Sequence, residues 1–207
     1  MKLSIGILPL ESKADIILHP IKYKNSLNYE PLAEEAVMAL LAKYFTYELV
    51  DEKVKSFFDE MDDGYLFSES NFDEFDLSFI KGKMEDKNEI IIGRDIFLHP
   101  QKENILKLAN LLKLAGFEVT QFIENDNIEE ISELDTFDGS IVYFVDDNKD
   151  EVIVSNQFKI ANKINSNEIK IDNKLKKVVE DENLKGVFGI VFEENIEEYP
   201  FKRVKIN

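Results

Sequence analysis

EIIIGRDIFLHPQKENILKLANLLKLAGFEVTQF, Glu89 to Phe122, holds a strand, a helix and a second strand in one run. Ile90, Ile91 and Ile92 are a β-branched run closed by Gly93, the pattern of a strand buried on both faces. Arg94 to Gln101 reads as a loop carrying His99 and Pro100. From Lys102 to Ala115, the residues Ile105, Leu108, Ala109, Leu112 and Ala115 recur at helical spacing, and Leu106, Leu111 and Leu114 widen the stripe. Gly116 is placed to end that helix, and Phe117, Val119, Gln121 and Phe122 start the next strand. Short links around a helix favour a right-handed crossover between parallel neighbours. Ligands of open α/β sheets sit at the carboxyl ends of strands, so a site would centre on Gly93 to His99.

Working back toward the amino terminus, Leu3 to Leu8 is apolar enough for a strand, with Pro9 closing it, and Asp15 to His19 is a second short candidate. Pro31 stands where a first-turn proline belongs, and Glu34 and Glu35 suit the positive end of a helix dipole. Leu32, Ala33, Ala36, Val37, Leu40, Leu41, Tyr44 and Phe45 predict an amphipathic helix to about Phe45, packed on a core.

Residues 48 to 76 change character, with 11 acidic residues against Lys53 and Lys55, and with Phe57, Phe58, Tyr65, Phe67, Phe72 and Phe75 interleaved. Val54, Phe57, Phe58 and Met61 fit one face of a short helix that Asp62-Asp63-Gly64 breaks. Asn71 or Asp73 is placed to cap another through about Met84. The stretch reads as a connecting excursion, about 48–84, whose aromatics plug the core. A docking segment for a basic groove is the alternative.

Toward the carboxyl terminus, residues 127–134 predict a short acidic helix and Asp138-Gly139 a turn. Ser140 to Val145 reads as another buried strand, and Glu151 to Ser155 as its partner in a hairpin. Residues 167–171, 186–192 and 201–206 are apolar or alternating, and Lys174 to Asp181 is at most a short helix. The predicted architecture is α/β: a doubly wound, mostly parallel sheet with helices on both faces, in residues 1–150. A small β-rich, mainly antiparallel extension follows in residues 151–207.

The chain has 207 residues, 44% of them hydrophobic, enough to bury a substantial core. Its formal charge of −17 argues against nucleic acid and against anionic membrane surfaces as partners. With no cysteine, it has no disulfide, thiolate metal site, cysteine nucleophile or iron–sulfur cluster of its own. No apolar run is long enough to insert into a membrane, and the first twenty residues lack a signal-peptide layout, so a cytoplasmic location is expected.

The two histidines share a setting, Ile17-Leu18-His19-Pro20 and Phe97-Leu98-His99-Pro100, but the match is too short to establish a duplication. Neither has a partner at metal-ligand spacing, so no metal is expected. Gly93 stands alone where a nucleotide cradle needs several glycines. There is no nucleophile elbow, and carboxylates are too abundant for one acid–base pair to stand out. No catalytic residue is assigned. Gly93, Arg94 and His99 are the candidate, vestigial cofactor-binding positions, and the alternative function is a module holding a small phosphate-bearing ligand there, with Arg94 as the contact. Val142 to Asn148 resembles the first strand of response-regulator receiver domains, but too little chain follows it, without the alternating helices such a domain needs.

Three passages resemble the molybdopterin-oxidoreductase family, and more narrowly the carboxy-terminal part of the large G subunit of the NADH-quinone oxidoreductase (respiratory complex I). Ala14-Asp15-Ile16-Ile17-Leu18, then Tyr29-Glu30-Pro31 and the helix from Ala33 to Tyr44, resemble its A-D-x-x-L and P-G-T passages. Glu89 to Gly116 resembles its I-I-x-G, H-P and N-x-x-x-L-x-x-L-x-G series. Glu151 to Ile160 and Leu184 to Ile190 look like a shortened form of its β-rich tail. The family's glycine and threonine after the proline are replaced here by Leu32 and Ala33, the glycine-rich loop is reduced to Gly93, and the cysteine domain is missing. The resemblance implies a fragment or reduced form without a cofactor or redox centre. Its partners would be other subunits of a respiratory complex that hold it on the cytoplasmic side of the inner membrane.

Overall fold

The computed structural model describes residues 1–125, 127–134 and 140–206. The Asp138-Gly139 turn lies outside them. The chain forms two compact units, one of Met1–Pro20 and Ser26–Asp135, the other of Ile21–Asn25 and Thr136–Asn207. The division falls near residue 135 rather than 150.

The first unit is built on four parallel strands, β1 (Lys2–Ile5), β2 (Ile16–Leu18), β4 (Asn88–Ile92) and β5 (Phe117–Val119), in the order β2-β1-β4-β5. Strand β3 (Lys22–Tyr23) belongs to the second unit. Register places Leu3, Ile16, Ile90 and Val119 in one row and Ile5, Leu18 and Ile92 in the next, all buried. The intervening positions include Lys2, Glu89, Ile17, Ile91 and Glu118, exposed or half-buried. Strand β4 is therefore fully buried on one face only, because charged neighbours share its other side.

Helix α1 (Glu34–Thr46) covers that core with ten buried residues. It begins three positions after Pro31, with Ala33 as the capping residue, so Pro31 lies in the preceding turn and not in the helix. Helices α2 (Glu52–Glu60), α3 (Asp63–Ser70) and α4 (Glu74–Gly82) form the acidic excursion. Asp51, Asp62 and Asp73 cap them by accepting from Val54, Tyr65 and Asp76 backbone N–H groups, and Asp73–Asp76 completes a capping box. Phe58, Phe72, Leu77 and Ile80 join the sheet core, so much of the excursion does plug the interior.

After β4 the chain makes a short helix, α5 (Arg94–Leu98), where a loop is expected, and then α6 (Lys102–Leu111). A 3₁₀ turn, Leu112–Ala115, carries α6 to Gly116, which takes φ 85°. Helix α6 packs against α1, so the β4–α6–β5 unit stands as the sequence predicts. Residues 127–134 are irregular, not helical.

The second unit has a six-stranded mixed sheet. Its strands are β6 (Ile141–Asp146), β7 (Glu151–Val154), β8 (Glu168–Ile171), β9 (Lys174–Glu180), β11 (Phe188–Glu193) and β12 (Phe201–Arg203), in the order β12-β6-β11-β7-β9-β8. Strand β10 (Leu184–Lys185) pairs with β3. The hairpin expected between β6 and β7 does not form. Strand β11 lies between them, parallel to β6 and antiparallel to β7, because its apolar run needs two neighbours. Strand β9 replaces the short helix expected there, and three of the five pairings are antiparallel. Helix α7 (Asn156–Ala161), capped by Ser155, buries Phe158 in a cluster with Val142, Val152, Val154 and Val191.

Candidate functional site

The carboxyl ends of β1, β2 and β4 are where the sheet would hold a ligand. At the ends of β1 and β4 the backbone closes on itself. A Cβ on Gly93 would stand 2.1 Å from the Gly6 carbonyl oxygen and 2.4 Å from Ile7 Cγ1. Gly6 itself takes φ +70°, and a Cβ there would meet Ile96 Cγ1 at 2.8 Å. Two hydrogen bonds fix the approach: Gly93 N–H donates to Ile5 O (2.8 Å) and Asp95 N–H to Gly6 O (3.1 Å). The lone glycine of the sequence is thus a packing glycine, pressed against its neighbouring strand end.

Beside this contact, buried polar side chains engage each other. His19 follows β2 and Asp95 lies in α5; His19 Nε2 is 3.1 Å from Asp95 Oδ2, both side chains being at most 2% exposed. His99, just after α5, accepts the Gln101 N–H at Nδ1 (2.9 Å). Its proton is therefore on Nε2, which faces Leu32 O at 3.3 Å and Glu34 Oε2 at 3.4 Å. Leu32 reaches this position with φ 65°, a left-handed conformation uncommon for a branched residue. Tyr29 Oη lies 3.5 Å from the other Glu34 oxygen.

A second set extends from Glu35. Its Oε1 accepts from Asn104 Nδ2 (2.8 Å) and its Oε2 from Ser132 N–H (2.9 Å). Asn104 also bonds both backbone groups of Glu129, and Lys107 Nζ reaches the Glu129 carboxylate at 2.7 Å. These bonds hold residues 127–134 against α1 and α6. The Glu129 and Ser132 N–H groups are thereby satisfied by side chains of α6 and α1 instead of by a helix of their own.

The three sequence candidates do not converge. Gly93 is buried behind Gly6, Arg94 is exposed, and His99 points to Leu32 and Glu34. Among the described residues no three His, Asp or Glu side chains form a set that could hold a metal ion. Sequence reasoning missed Glu34, Glu35, Asp95, Asn104 and Lys107 as interior groups. Acids in a first helical turn look like dipole-stabilising surface residues. The available signal was their position beside Ala33, Ala36 and Val37, inside the apolar stripe.

What the fold and these strand ends define is an α/β protein in which the ends of β1 and β4 pack backbone to backbone, with buried histidine–carboxylate contacts beside them. No family model, no curated protein and no solved structure matches the chain. Among the described residues no helix is long and apolar enough to cross a membrane.

Proposed function

We propose that this chain is a non-catalytic, cofactor-free scaffold domain of a respiratory NADH-quinone oxidoreductase, akin to part of its large G subunit and set beside the electron path on the cytoplasmic side of the inner membrane. The assembly is suggested by the three passages that resemble that subunit. The role is supported by one observation: Gly93 packs directly on the Gly6 carbonyl, so the single glycine of the strand end serves backbone packing. The alternative is a module that holds a small phosphate-bearing ligand at Gly93, Arg94 and His99, with the exposed Arg94 as its contact.

The test is affinity purification of the tagged full-length chain from its own cells, with the isolated chain assayed alongside. NADH-oxidising subunits should co-purify in fixed ratio, while the isolated chain should oxidise no NADH and carry no stoichiometric iron, molybdenum or pterin. Co-purification without any reductase subunit would overturn the assembly. A stoichiometric pterin or metal on the isolated chain would overturn the role.

A further inference from the structure

A groove opens on the surface of the first unit where α2 and α3 face residues 128–131. Six of its nine lining residues are aromatic or aliphatic: Phe57, Met61, Tyr65, Leu66, Ile128 and Ile131. Its volume is about 530 Å³. The remaining lining residues are Glu60, Asp62 and Glu130, so among the described residues no basic side chain lines the groove. One wall is braced from behind, since Glu35, Asn104 and Lys107 bond residues 129–132, and Tyr65 Oη accepts the Leu134 N–H at 3.3 Å. The other wall is the part of the chain richest in acid, with 11 acidic residues against two lysines in residues 48–76.

We propose that this groove docks a basic amphipathic helix from a partner protein. An apolar trough rimmed by carboxylates suits a helix with large apolar anchors at i, i+3 or i+4, and i+7, flanked by Lys or Arg. Charge selects against the other occupants. A second copy of this chain brings the same −17 charge and the same acidic rim. Nucleic acid and anionic lipid are repelled in the same way. The inference stands apart from the scaffold reading, because the groove specifies the chemistry of a partner and not its complex.

The experiment places p-benzoylphenylalanine at Tyr65, which is 39% exposed, in the full chain within its own cells. After irradiation the cross-linked segment is sequenced by mass spectrometry. Phe75, 84% exposed on α4 and outside the groove lining, is the control position. The expected adduct at position 65 is a segment of net positive charge with helical apolar spacing, absent at position 75. Its yield should fall about tenfold in the Glu60→Lys/Glu130→Lys double variant, as expected when two rim attractions become repulsions. It should also fall when irradiation is repeated in lysate at raised salt, an arm that changes no residue. No adduct, an acidic or neutral segment, a second copy of this chain, equal capture at position 75, or a yield insensitive to both salt and charge reversal would each overturn the proposal. A basic helix from a protein outside any respiratory complex would sustain the groove and overturn the scaffold reading.

Discussion

Adding one methyl group at Gly93 tests how tightly the ends of β1 and β4 are packed. Gly93→Ala puts a Cβ 2.1 Å from Gly6 O, 2.4 Å from Gly6 C and 2.4 Å from Ile7 Cγ1. Ordinary contacts begin near 3.4 Å, so something must move by more than an ångström. The obstacle is backbone, and it is tied: Gly6 O accepts from Asp95 N–H and Ile5 O from Gly93 N–H. Overpacking costs about 1–3 kcal/mol, and each backbone hydrogen bond broken to relieve it adds about 0.5–1.5 kcal/mol. The sum is about 3 kcal/mol, a large share of the ~5–15 kcal/mol that holds a typical domain together. With a urea slope of about 2 kcal/mol/M, the midpoint should fall by about 1.5 M.

Because the chain has two units, the assay should read the first unit by itself. Pulsed hydrogen exchange across a urea series, scored on peptides covering β1 and β4, does so. The matched control is Gly82→Ala in α4, where a Cβ would meet nothing within 4 Å. That change should be neutral or stabilise by up to ~1 kcal/mol. If Gly93→Ala behaved like Gly82→Ala, the tight packing of Gly93 on Gly6 would be refuted, and with it the support that contact lends the scaffold reading.

Three further perturbations probe polar groups of the first unit. Asp95→Ala leaves the buried His19 ring without that carboxylate and should cost about 3–5 kcal/mol, measured as a fall in the urea midpoint of β2 and β4 peptides; a loss under about 1 kcal/mol would count against the pairing. Asn104→Ala removes two hydrogen bonds to Glu129 and one to Glu35, so amides of residues 127–134 should exchange about tenfold faster while β1 amides change less; uniform loss of protection would show that the contact is not local. The Glu30 carboxyl is raised above its ordinary 4.5 by desolvation, so the folded state holds this proton more tightly than the unfolded state and stability declines as pH rises from 4.5 through the folded-state value. Glu30→Gln should therefore unfold at higher urea than the parent at neutral pH, with the gap closing below 4.5; an equal gap in both conditions would refute the assignment.

The elements that sequence alone made legible are those whose signals are local. The β4–α6–β5 unit is written in a β-branched run, a helical stripe and Gly116, and each signal lies within a few residues of what it specifies. The caps Asp51, Asp62 and Asp73 belong to the same kind, although only Asp73 stood out. Strand order has no such local mark. Asp146 to Asp150 looks like a hairpin turn between β6 and β7, yet the partner of both strands is β11, supplied more than thirty residues later. Strand β9 hides because Lys176 replaces an apolar residue on its inward position, where it is 7% exposed and donates to the Phe192 and Lys149 carbonyls.

The candidate site shows the same limit more sharply, because a buried carboxylate and a surface carboxylate are the same letter. The chain contains 42 acidic residues, and apart from the apolar neighbours of Glu34 and Glu35 little in the local sequence marks the buried ones. What separates them is partners 65 or more positions away: His99 for Glu34, Asn104 and Ser132 for Glu35, His19 for Asp95. Such a group is stable inside only when it is bonded there, since an unpaired buried charge is costly. Asp95 joins the two features: its carboxylate meets His19 and its own N–H donates to Gly6 O, so one residue serves both the buried pair and the packed strand ends. The acids left outside, Glu60, Asp62 and Glu130, carry no such internal obligation to the strand ends, and it is there that the surface offers a partner both apolar area and charge.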